Sequence, residues 1–241
     1  MEYSKDHKFI PVTSVSTHLG GEVAQDLYYY TIQIVNICLF GNPEQKNEWV
    51  LIDTGMPKSA DNILSVVEKR FGSNSRPKAI ILTHGHFDHI MAAQELASTT
   101  RVSIYAYESE RELLANPGLN CSSIFGKSLT LAPVESLRDF EKIQIADIEF
   151  VVLHTPGHTK GSVCYYIPDE QILLSGDTLF FESVGRTDFP TGNSGVLIKS
   201  INERLFTLPK EVKVYPGHGC STSIGYEMQN NPYVNGEGSF Y

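Results

Sequence analysis

Three histidines and one aspartate fall within six consecutive positions of the chain, and all four side chains are common metal ligands. Residues 81–90 read Ile-Leu-Thr-His-Gly-His-Phe-Asp-His-Ile, so His84 and His86 are two positions apart, and Asp88 and His89 follow. In extended backbone, residues two positions apart point to the same side. Imidazole and carboxylate ligands together suit zinc, and also iron or manganese. The segment therefore predicts a transition-metal site, and the alternative is a solvated loop that happens to be rich in histidine.

A short strand and a helix are the elements that must position these four side chains. Residues 78–82 are apolar after the first lysine and have the pattern of a buried strand that delivers His84. Residues 88–96 begin a helical pattern, and Asp88 suits the start of a helix. A strand end followed by a helix start can aim four ligands at one small volume.

Apolar strands that end in a histidine or an aspartate recur along the chain. Five of the eight histidines end strands or open loops, and three aspartates occupy similar places. These residues are His84, His86, His89, His158, His218, Asp53, Asp88 and Asp177. Side chains at strand ends are held rigidly by the sheet beneath them, as the fixed geometry of a metal site requires. We expect His7 and His18 to be solvated, and His154 to be a packing residue rather than a supporting residue of the site.

The rest of the pattern predicts a sheet-rich fold with outer helices. Strands are expected over 28–40, 49–52, 102–106, 148–153, 163–167, 171–175 and 212–215, and helices over 59–71, 108–114, 196–208 and 224–229. Segments 51–55 and 173–178 are similar, since each is an apolar strand that ends in an acidic loop. The two β-rich halves are expected to face one another in an α+β sandwich, with residues 1–241 as a single domain. Residues 116–131 read as a long loop beside the site, either functional or a simple connector.

Composition limits the classes of partner. The net charge of −9 argues against nucleic acid and against an acidic membrane surface. No apolar stretch is long enough to cross a membrane, and the first residues lack the pattern of a signal peptide. The cysteines form no C-x-x-C pair, which favours a reducing cytoplasm. They are Cys38 and Cys164, expected in the core, with Cys121, and Cys220, which could be a ligand, a nucleophile or a packed bystander near the site.

The ordered set of motifs resembles the metallo-β-lactamase superfamily. The motifs are His84-x-His86-x-Asp88-His89, Gly157-His158-Thr159, Gly176-Asp177-Thr178 and Gly217-His218, preceded by Asn36 and Asp53-Thr54-Gly55. The resemblance covers nearly the whole chain, and the set is much more specific than any one motif. It implies a four-layer αββα sandwich, similar to the fold that the periodicity indicates.

The resemblance also implies a binuclear metal centre. The ligands implied for one divalent ion are His84, His86 and His158, and those implied for the other are Asp88, His89 and His218. Asp177 would bridge the two ions, since a carboxylate has two oxygens. Asp53 would steady the ligands. Zinc is the metal expected first, with iron or manganese as alternatives.

Within the superfamily, the chain is most similar to glyoxalase II and its compact bacterial relatives. Residues 155–162 and 184–190 carry this similarity. It places Arg186 near the substrate's carboxylate, although Arg186 and Asp188 could also simply lock a turn. Glyoxalase II has a helical C-terminal extension that helps to hold glutathione, whereas residues 219–241 contain no lysine or arginine. Specificity for glutathione thioesters therefore stays open.

The expected activity is metal-dependent hydrolysis of a small-molecule thioester by a metal-bridging hydroxide, with Asp88 and Asp177 as the catalytic aspartates. A thiolate, with a pKa of about 8.5, can leave without a proton donor. An amide would need a donor, and none is evident in the motifs. The alternatives are a persulfide dioxygenase with one iron, a lactonase, or a module that binds without chemistry. An RNA-processing nuclease is disfavoured by the acidic charge, and the oligomeric state stays open.

Overall fold

The computed structural model describes residues 19–42, 48–73, 75–126, 128–131, 134–145, 148–236 and 238. Within these ranges two β-sheets lie face to face, and helices cover the outer face of each sheet. This is the four-layer αββα sandwich that the sequence predicts.

The first sheet has seven strands in the order of the chain. They are β1 Leu19–Ala24, β2 Leu27–Ile32, β3 Val35–Phe40, β4 Glu48–Ile52, β5 Arg76–Ile81, β6 Ile104–Tyr107 and β7 Glu135–Leu137. Neighbours from β1 to β4 are antiparallel, and those from β4 to β7 are parallel. The parallel strands β4 and β5 therefore end at the same edge of the sheet.

The second sheet has six strands in the order β15-β14-β11-β10-β9-β8. They are β8 Lys142–Ile145, β9 Ile148–His154, β10 Val163–Ile167, β11 Ile172–Gly176, β14 Lys213–Pro216 and β15 Thr222–Ser223. A separate ribbon consists of β12 Leu179–Phe180 and β13 Ser183–Val184. Strands β11 and β14 are parallel, so the loops after them lie side by side.

Helices cover both sheets. They are α1 Ser59–Phe71, α2 Phe87–Ile90, α3 Ala93–Thr100, α4 Arg111–Ala115, α5 Ser194–Ser200 and α6 Ile224–Asn230. Short 3-10 turns span Glu108–Glu110 and Ser122–Phe125, and a π-helical turn, Ile201–Leu205, continues α5. The apolar side of α1 packs on the first sheet, and that of α5 packs on the second.

Strand β3 shows why the sheets need cover on both faces. All six of its residues are buried, because alternate side chains enter different cores. Ile37 and Leu39 belong to the core beneath α1, whereas Cys38 and Phe40 belong to the core between the sheets. In that inner core the ring of Phe40 meets the ring of Phe150 edge to face, with 4.6 Å between centroids.

The structure corrects several predicted element bounds. Helix α1 has the bounds that the sequence predicts, but the strand pattern over 28–40 is divided into β2 and β3. The division falls at Gln33, which has a φ of +59° and so reverses the chain. The helical pattern over 88–96 likewise forms two helices, α2 and α3. The segment 212–215 does not contain the last strand, since β15 follows it.

Three further expectations concern membrane-spanning helices, the number of domains and the histidines near the N-terminus. Among the described residues, no helix combines the length and the apolar character needed to cross a bilayer. The assignment of residues 1–241 to one domain stays a prediction. So does the solvation of His7 and His18, which lie outside the described ranges.

Candidate metal centre

Seven ligating side chains converge at one edge of the sandwich, from the segments that follow β5, β9, β11 and β14. Their donor atoms form three overlapping groups, and within each group all donors lie within 4.8 Å of one another. The groups are His84, His86 and His158; His84, His89 and Asp177; and Asp88, His89 and His218. The structure thus brings together every residue for which the sequence predicts metal binding.

Asp177 lies between the two outer groups. Its Oδ2 is 3.6 Å from His158 Nε2 and 3.4 Å from His218 Nε2, and its Oδ1 is 3.4 Å from His89 Nε2. One carboxylate thus contacts imidazoles on both sides. This is the position that a bridging ligand requires.

Asp53, at the end of β4, accepts the outward N–H of one of these imidazoles. Its Oδ2 is 2.8 Å from His89 Nδ1, and it also accepts hydrogen bonds from the backbone N–H and the hydroxyl of Thr83. These donors fill both carboxylate oxygens. Asp53 therefore fixes the ring of His89 with Nδ1 protonated and the Nε2 lone pair directed inward.

Backbone carbonyls have the same effect on two other histidines. His158 Nδ1 donates to the carbonyl of Arg186 at 2.7 Å, and His218 Nδ1 donates to the carbonyl of Ile34 at 2.8 Å. His84 Nδ1 lies 3.1 Å from the hydroxyl of Thr83, whose own proton goes to Asp53. This network assigns the Nδ1–H tautomer to these three histidines, so that their Nε2 lone pairs face the centre.

The inward lone pairs show that the residues fit bound cations. His84 Nε2 faces His158 Nε2 at 3.2 Å, and His89 Nε2 faces His218 Nε2 at 3.3 Å. Burial keeps His84 and His158 neutral, so no proton lies between their facing nitrogens. The raised pKa values of His89 and His218 place protons between the other pair, which a divalent ion would replace. Among the described residues, Asp177 Oδ1 is also one of few buried polar atoms without a hydrogen-bond partner. Facing lone pairs and an unsatisfied carboxylate oxygen are what divalent ions would satisfy.

The half of the site with three histidines is built for neutral imidazoles. Burial lowers the pKa of His84 well below its ordinary value and lowers that of His86 to about 3. Burial also lowers the pKa of His158. Neutral imidazole is the form that binds a metal, so these three side chains need no deprotonation at neutral pH.

The half with the carboxylates attracts positive charge. Burial opposes the charged form of His218, but Asp177 and Asp88 raise its pKa to about 10. His89 is likewise buried, and Asp177, Asp53 and Asp88 raise its pKa well above the ordinary value. Despite burial, these two histidines hold the pKa of Asp177 well below its usual range. This half therefore requires cationic charge, which protons or metal ions can supply.

A cavity of about 670 Å³ opens onto the candidate centre. Its lining includes the ligands His86, Asp88, His158, Asp177 and His218. The remaining wall is largely apolar and is formed by Phe87, Ile124, Phe180, Val184, Phe189 and Tyr233, with Ser183, Gly185 and Arg186. The cavity can therefore hold a small molecule with one end at the metal ligands and the other against apolar side chains.

Arg186 locks a turn and also lines the cavity, whereas its contact with a substrate carboxylate stays a prediction. It lines the cavity, and its guanidinium makes two hydrogen bonds to Asp188, at 2.7 and 2.6 Å. The guanidinium also lies 3.9 Å from the centre of the Phe189 ring. The turn is thus locked by an ion pair at the mouth of the site. The sequence gives no sign of the further role of Arg186, whose carbonyl orients His158.

Several secondary candidates lie apart from the donor groups. Cys220 is exposed and belongs to none of the groups, whereas Cys38 and Cys164 are buried, as predicted. The ring of His154 stacks on Tyr107, and its Nε2 lies 3.0 Å from the carbonyl of Lys160. His154 is therefore a packing residue.

Residues 116–126 and 128–131, the described part of the predicted loop 116–131, lie beside the site, as predicted. The carbonyl of Asn120 accepts the backbone N–H of Phe87, at the start of α2. Asn120 is itself fully buried, and its side chain bonds to backbone groups of the same segment. Ile124 is largely exposed and lines the cavity. The segment thus both supports the helix that carries Asp88 and supplies part of the cavity wall.

Asn36 is a supporting residue whose role the sequence analysis missed. Its side-chain amide donates to the carbonyls of Pro216 and Gly219, both at 3.0 Å, and its backbone N–H donates to Gly217. It therefore fixes the loop that carries His218. A polar residue within the otherwise apolar segment 35–40 was the available signal.

Comparison with known proteins agrees with this geometry. The profile of the family described as the Metallo-beta-lactamase superfamily matches residues 32–218. The probable metallo-hydrolase YqgX of Bacillus subtilis (strain 168) is 40% identical over 162 residues, which are 66% of this chain and 77% of that protein.

Two solved structures are similar in both sequence and fold. The BLEG-1 B3 metallo-beta-lactamase is 38% identical with a TM-score of 0.74, over 83% of this chain and 94% of that chain. TTHA1623, solved in a di-iron-bound form, is 34% identical with a TM-score of 0.70 over the same shares. The chain belongs to the metallo-beta-lactamase superfamily, as a metal-dependent hydrolase of that family.

Proposed function

We propose that the protein hydrolyses small thioesters at a binuclear metal centre held by the seven converging residues. The observation that carries this proposal is the position of Asp177 between two groups of imidazoles, within 3.6 Å of donors in each. Two adjacent divalent ions, when bound, lower the pKa of a shared water and polarise an acyl carbonyl. The role of the protein is to hold the ligands and to orient the substrate.

The supporting contacts make the ligand set rigid. Asp53 and the carbonyls of Arg186 and Ile34 each fix one imidazole through Nδ1. Asp88 Oδ2 lies 3.3 Å from His218 Nε2, on the cavity wall. We assign Asp88 to ligation and orientation rather than to independent base catalysis, because its carboxylate already faces a ligand histidine.

The acid–base groups of the cavity indicate which class of leaving group the site can release. The carboxylates and imidazoles of the described lining are candidate ligands or paired groups, so none of them is left to protonate an amine. A thiolate, with a pKa of about 8.5, can leave as an anion. A thioester therefore suits the site better than an amide.

A lactone is the second candidate substrate, and one residue favours it. A phenol can help to stabilise the oxyanion of an ester, and Tyr233 lines the cavity. Tyr165 and Tyr215 cannot take this role, because both are buried in the core between the sheets. Tyr233→Phe should lower turnover of a lactone while leaving thioester turnover unchanged, if lactones are substrates.

The cavity wall favours a substrate whose remainder is apolar. Among the described lining residues, Arg186 is the one lysine or arginine, and its guanidinium is already paired with Asp188. S-Lactoylglutathione carries carboxylates, and the described wall presents no second lysine or arginine to bind them. We therefore expect a thioester of the same acyl group on an uncharged thiol to be turned over at least as well.

Metal analysis paired with a matched thioester panel tests the proposal. The panel holds the lactoyl group constant on glutathione and on N-acetylcysteamine, and the metals assayed include iron, because the relative TTHA1623 was solved with two irons. We expect two metal equivalents and thioester turnover, with both lost in His84→Ala and Asp177→Ala. Full turnover by either variant after metal depletion would contradict the proposal. One iron with oxygen consumption on glutathione persulfide and no thioester turnover would instead identify a persulfide dioxygenase.

A further inference from the structure

Glu110 is a buried carboxylate that joins two loops of the metal centre. Only 1% of the residue is exposed. Its Oε1 accepts the backbone N–H of Gly85 at 2.8 Å, and its Oε2 accepts the backbone N–H of Gly161 at 2.8 Å. Gly85 lies between His84 and His86, and Gly161 closely follows His158. One side chain therefore spans the two segments that carry the three-histidine group.

The close approach depends on both glycines. A Cβ at Gly161 would collide with the Glu110 carboxylate and with its backbone nitrogen. A Cβ at Gly85 would lie 2.5 Å from Leu113 Cδ2 and 3.3 Å from Glu110 Oε1. Leu113 and Leu114, on the helix that follows Glu110, are themselves buried. The Glu110 carboxylate thus lies between the buried side chains of the following helix and the two loops.

The electrostatic setting of Glu110 differs from that of an ordinary buried ion pair. Among the hydrogen bonds and ion pairs of the described residues, none joins Glu110 to a lysine, an arginine or a histidine. Burial raises its pKa, while hydrogen bonds from the Thr159 side chain and from the N–H groups of Gly85 and Gly161 lower it. A buried carboxylate without a cationic partner costs stability. If the link between the two loops served stability alone, a neutral side chain could make it at a lower desolvation cost.

We propose that Glu110 is a positioning residue for the metal centre, which sets the separation of the loop that carries His84 and His86 from the loop that carries His158. The inference rests on the metal binding of the proposed function and is independent of its substrate. A carboxylate is required because two N–H donors arrive from opposite sides, one at each oxygen. Glutamine can accept only one of them and presents its own NH₂ group to the other.

The test compares Glu110→Gln with a matched control, Glu227→Gln. Glu227 is also fully buried and accepts hydrogen bonds from the Glu182 N–H and from Asn231, at a place away from both loops. Affinity for Zn²⁺ is measured by competition with a chromophoric chelator, and the ligand geometry by the absorption spectrum of the Co²⁺-loaded protein. Melting of the metal-free proteins reports on stability alone.

We expect Glu110→Gln to weaken Zn²⁺ binding at one site by about 10- to 100-fold, as is usual for residues that orient metal ligands. Its Co²⁺ spectrum should change as well. Glu227→Gln should lower the melting temperature and leave both metal readouts as in the wild type. A Glu110→Gln protein that melts earlier but binds two Zn²⁺ with wild-type affinity would overturn the proposal, since a structural role alone has that outcome.

A second variant, Glu110→Asp, provides the test if Glu110→Gln does not fold. Glu110→Asp keeps the charge but is one methylene shorter, so it can reach one loop at a time. It should bind Zn²⁺ with intermediate affinity, and wild-type affinity in this variant would equally overturn the inference. Failure of the metal binding on which the inference rests has a different signature, since the wild-type chain would then bind no metal at all. Failure of thioester turnover alone leaves the metal affinities of these variants unaffected as a test.

Discussion

The histidines of the candidate centre owe their orientation to atoms that are not themselves ligands. His89 is held by a carboxylate, whereas His158 and His218 are held by backbone carbonyls. A substitution leaves the backbone carbonyl of the substituted residue in place, whereas it can remove a side-chain carboxylate. Asp53 is therefore the outward partner of these three rings that mutation can test directly.

Removal of the Asp53 carboxylate should weaken metal binding without removing a ligand. In Asp53→Ala, His89 loses its Nδ1 acceptor and the hydroxyl of Thr83 loses its own acceptor, so the ring is no longer fixed. We expect a loss of affinity of about 10- to 100-fold. Metal retained after dialysis against graded chelator measures it, with Asp169→Asn, on an exposed turn, as the control. Retention equal to the wild type would exclude an orienting role for Asp53.

Cys220 should be dispensable for metal binding. It is exposed and lies outside all three donor groups, although it follows His218 by only two positions. Cys220→Ser should therefore keep the wild-type number of metal equivalents and the wild-type turnover. A loss of one equivalent, measured by elemental analysis of the purified variant, would show that the thiol is a ligand after all.

At the scale of elements, the candidate ligands lie on segments that follow strand ends, and neighbouring elements lock these segments. The hairpin of β2 and β3 locks the loop after β14, because Asn36 bonds to the carbonyls of Pro216 and Gly219, and Tyr29 bonds to that of Pro216. The first sheet thereby positions His218, which the second sheet carries. The two sheets are thus joined at the site as well as through their shared core.

Truncation of Asn36 should affect both stability and the second metal group. Asn36→Ala removes the amide that donates to the carbonyls of Pro216 and Gly219, at a cost of about 0.5–1.5 kcal/mol for each hydrogen bond. We expect an earlier unfolding transition in denaturant and weaker binding of the ion held with His218. Thr31→Val is the matched control, because it removes only the hydroxyl that donates to Asn36 Oδ1. Equal effects of the two variants would mean that the contacts with the His218 loop contribute little.

At the scale of the molecule, the candidate centre lies across the seam between the sheets. His84, His86, Asp88 and His89 follow the first sheet, whereas His158, Asp177 and His218 follow strands of the second. Bound ions would thus connect the two sheets. Ligands that bind only the folded state stabilise it in proportion to the logarithm of their concentration over Kd.

Metal removal should therefore lower the melting temperature of the whole protein. A site filled at a thousand times its Kd adds about 4.1 kcal/mol. For a chain of this size, each kcal/mol corresponds to roughly 2–4 °C. We expect chelation to lower the melting temperature by on the order of 10 °C for each such site. Calorimetry with and without chelator measures the shift, and Asp177→Ala should show little further change. An unchanged wild-type melting temperature would mean that no metal was bound.

The sequence predicted the class of fold from its periodicity, and it predicted the candidate ligands from their motifs together with the family resemblance. The motif from His84 to His89, the strand ends at Asp53 and Asp177, and helix α1 all follow from spacing within one segment. Spacing carries this information because the backbone geometry of a strand or a helix decides locally which side chains share a face.

The contacts by which these segments support one another depend on the tertiary fold. The carbonyls that orient His158 and His218 have no side-chain signature, and the division of segment 28–40 at Gln33 depends on a single positive φ. Glu110 shares a helical face with Leu113 and Leu114, a sign of burial that the sequence analysis did not use. Its contacts with Gly85 and Gly161 join residues 25 and 51 positions away. Such distances are set by the order and register of the strands, because no local rule of spacing reaches across two sheets.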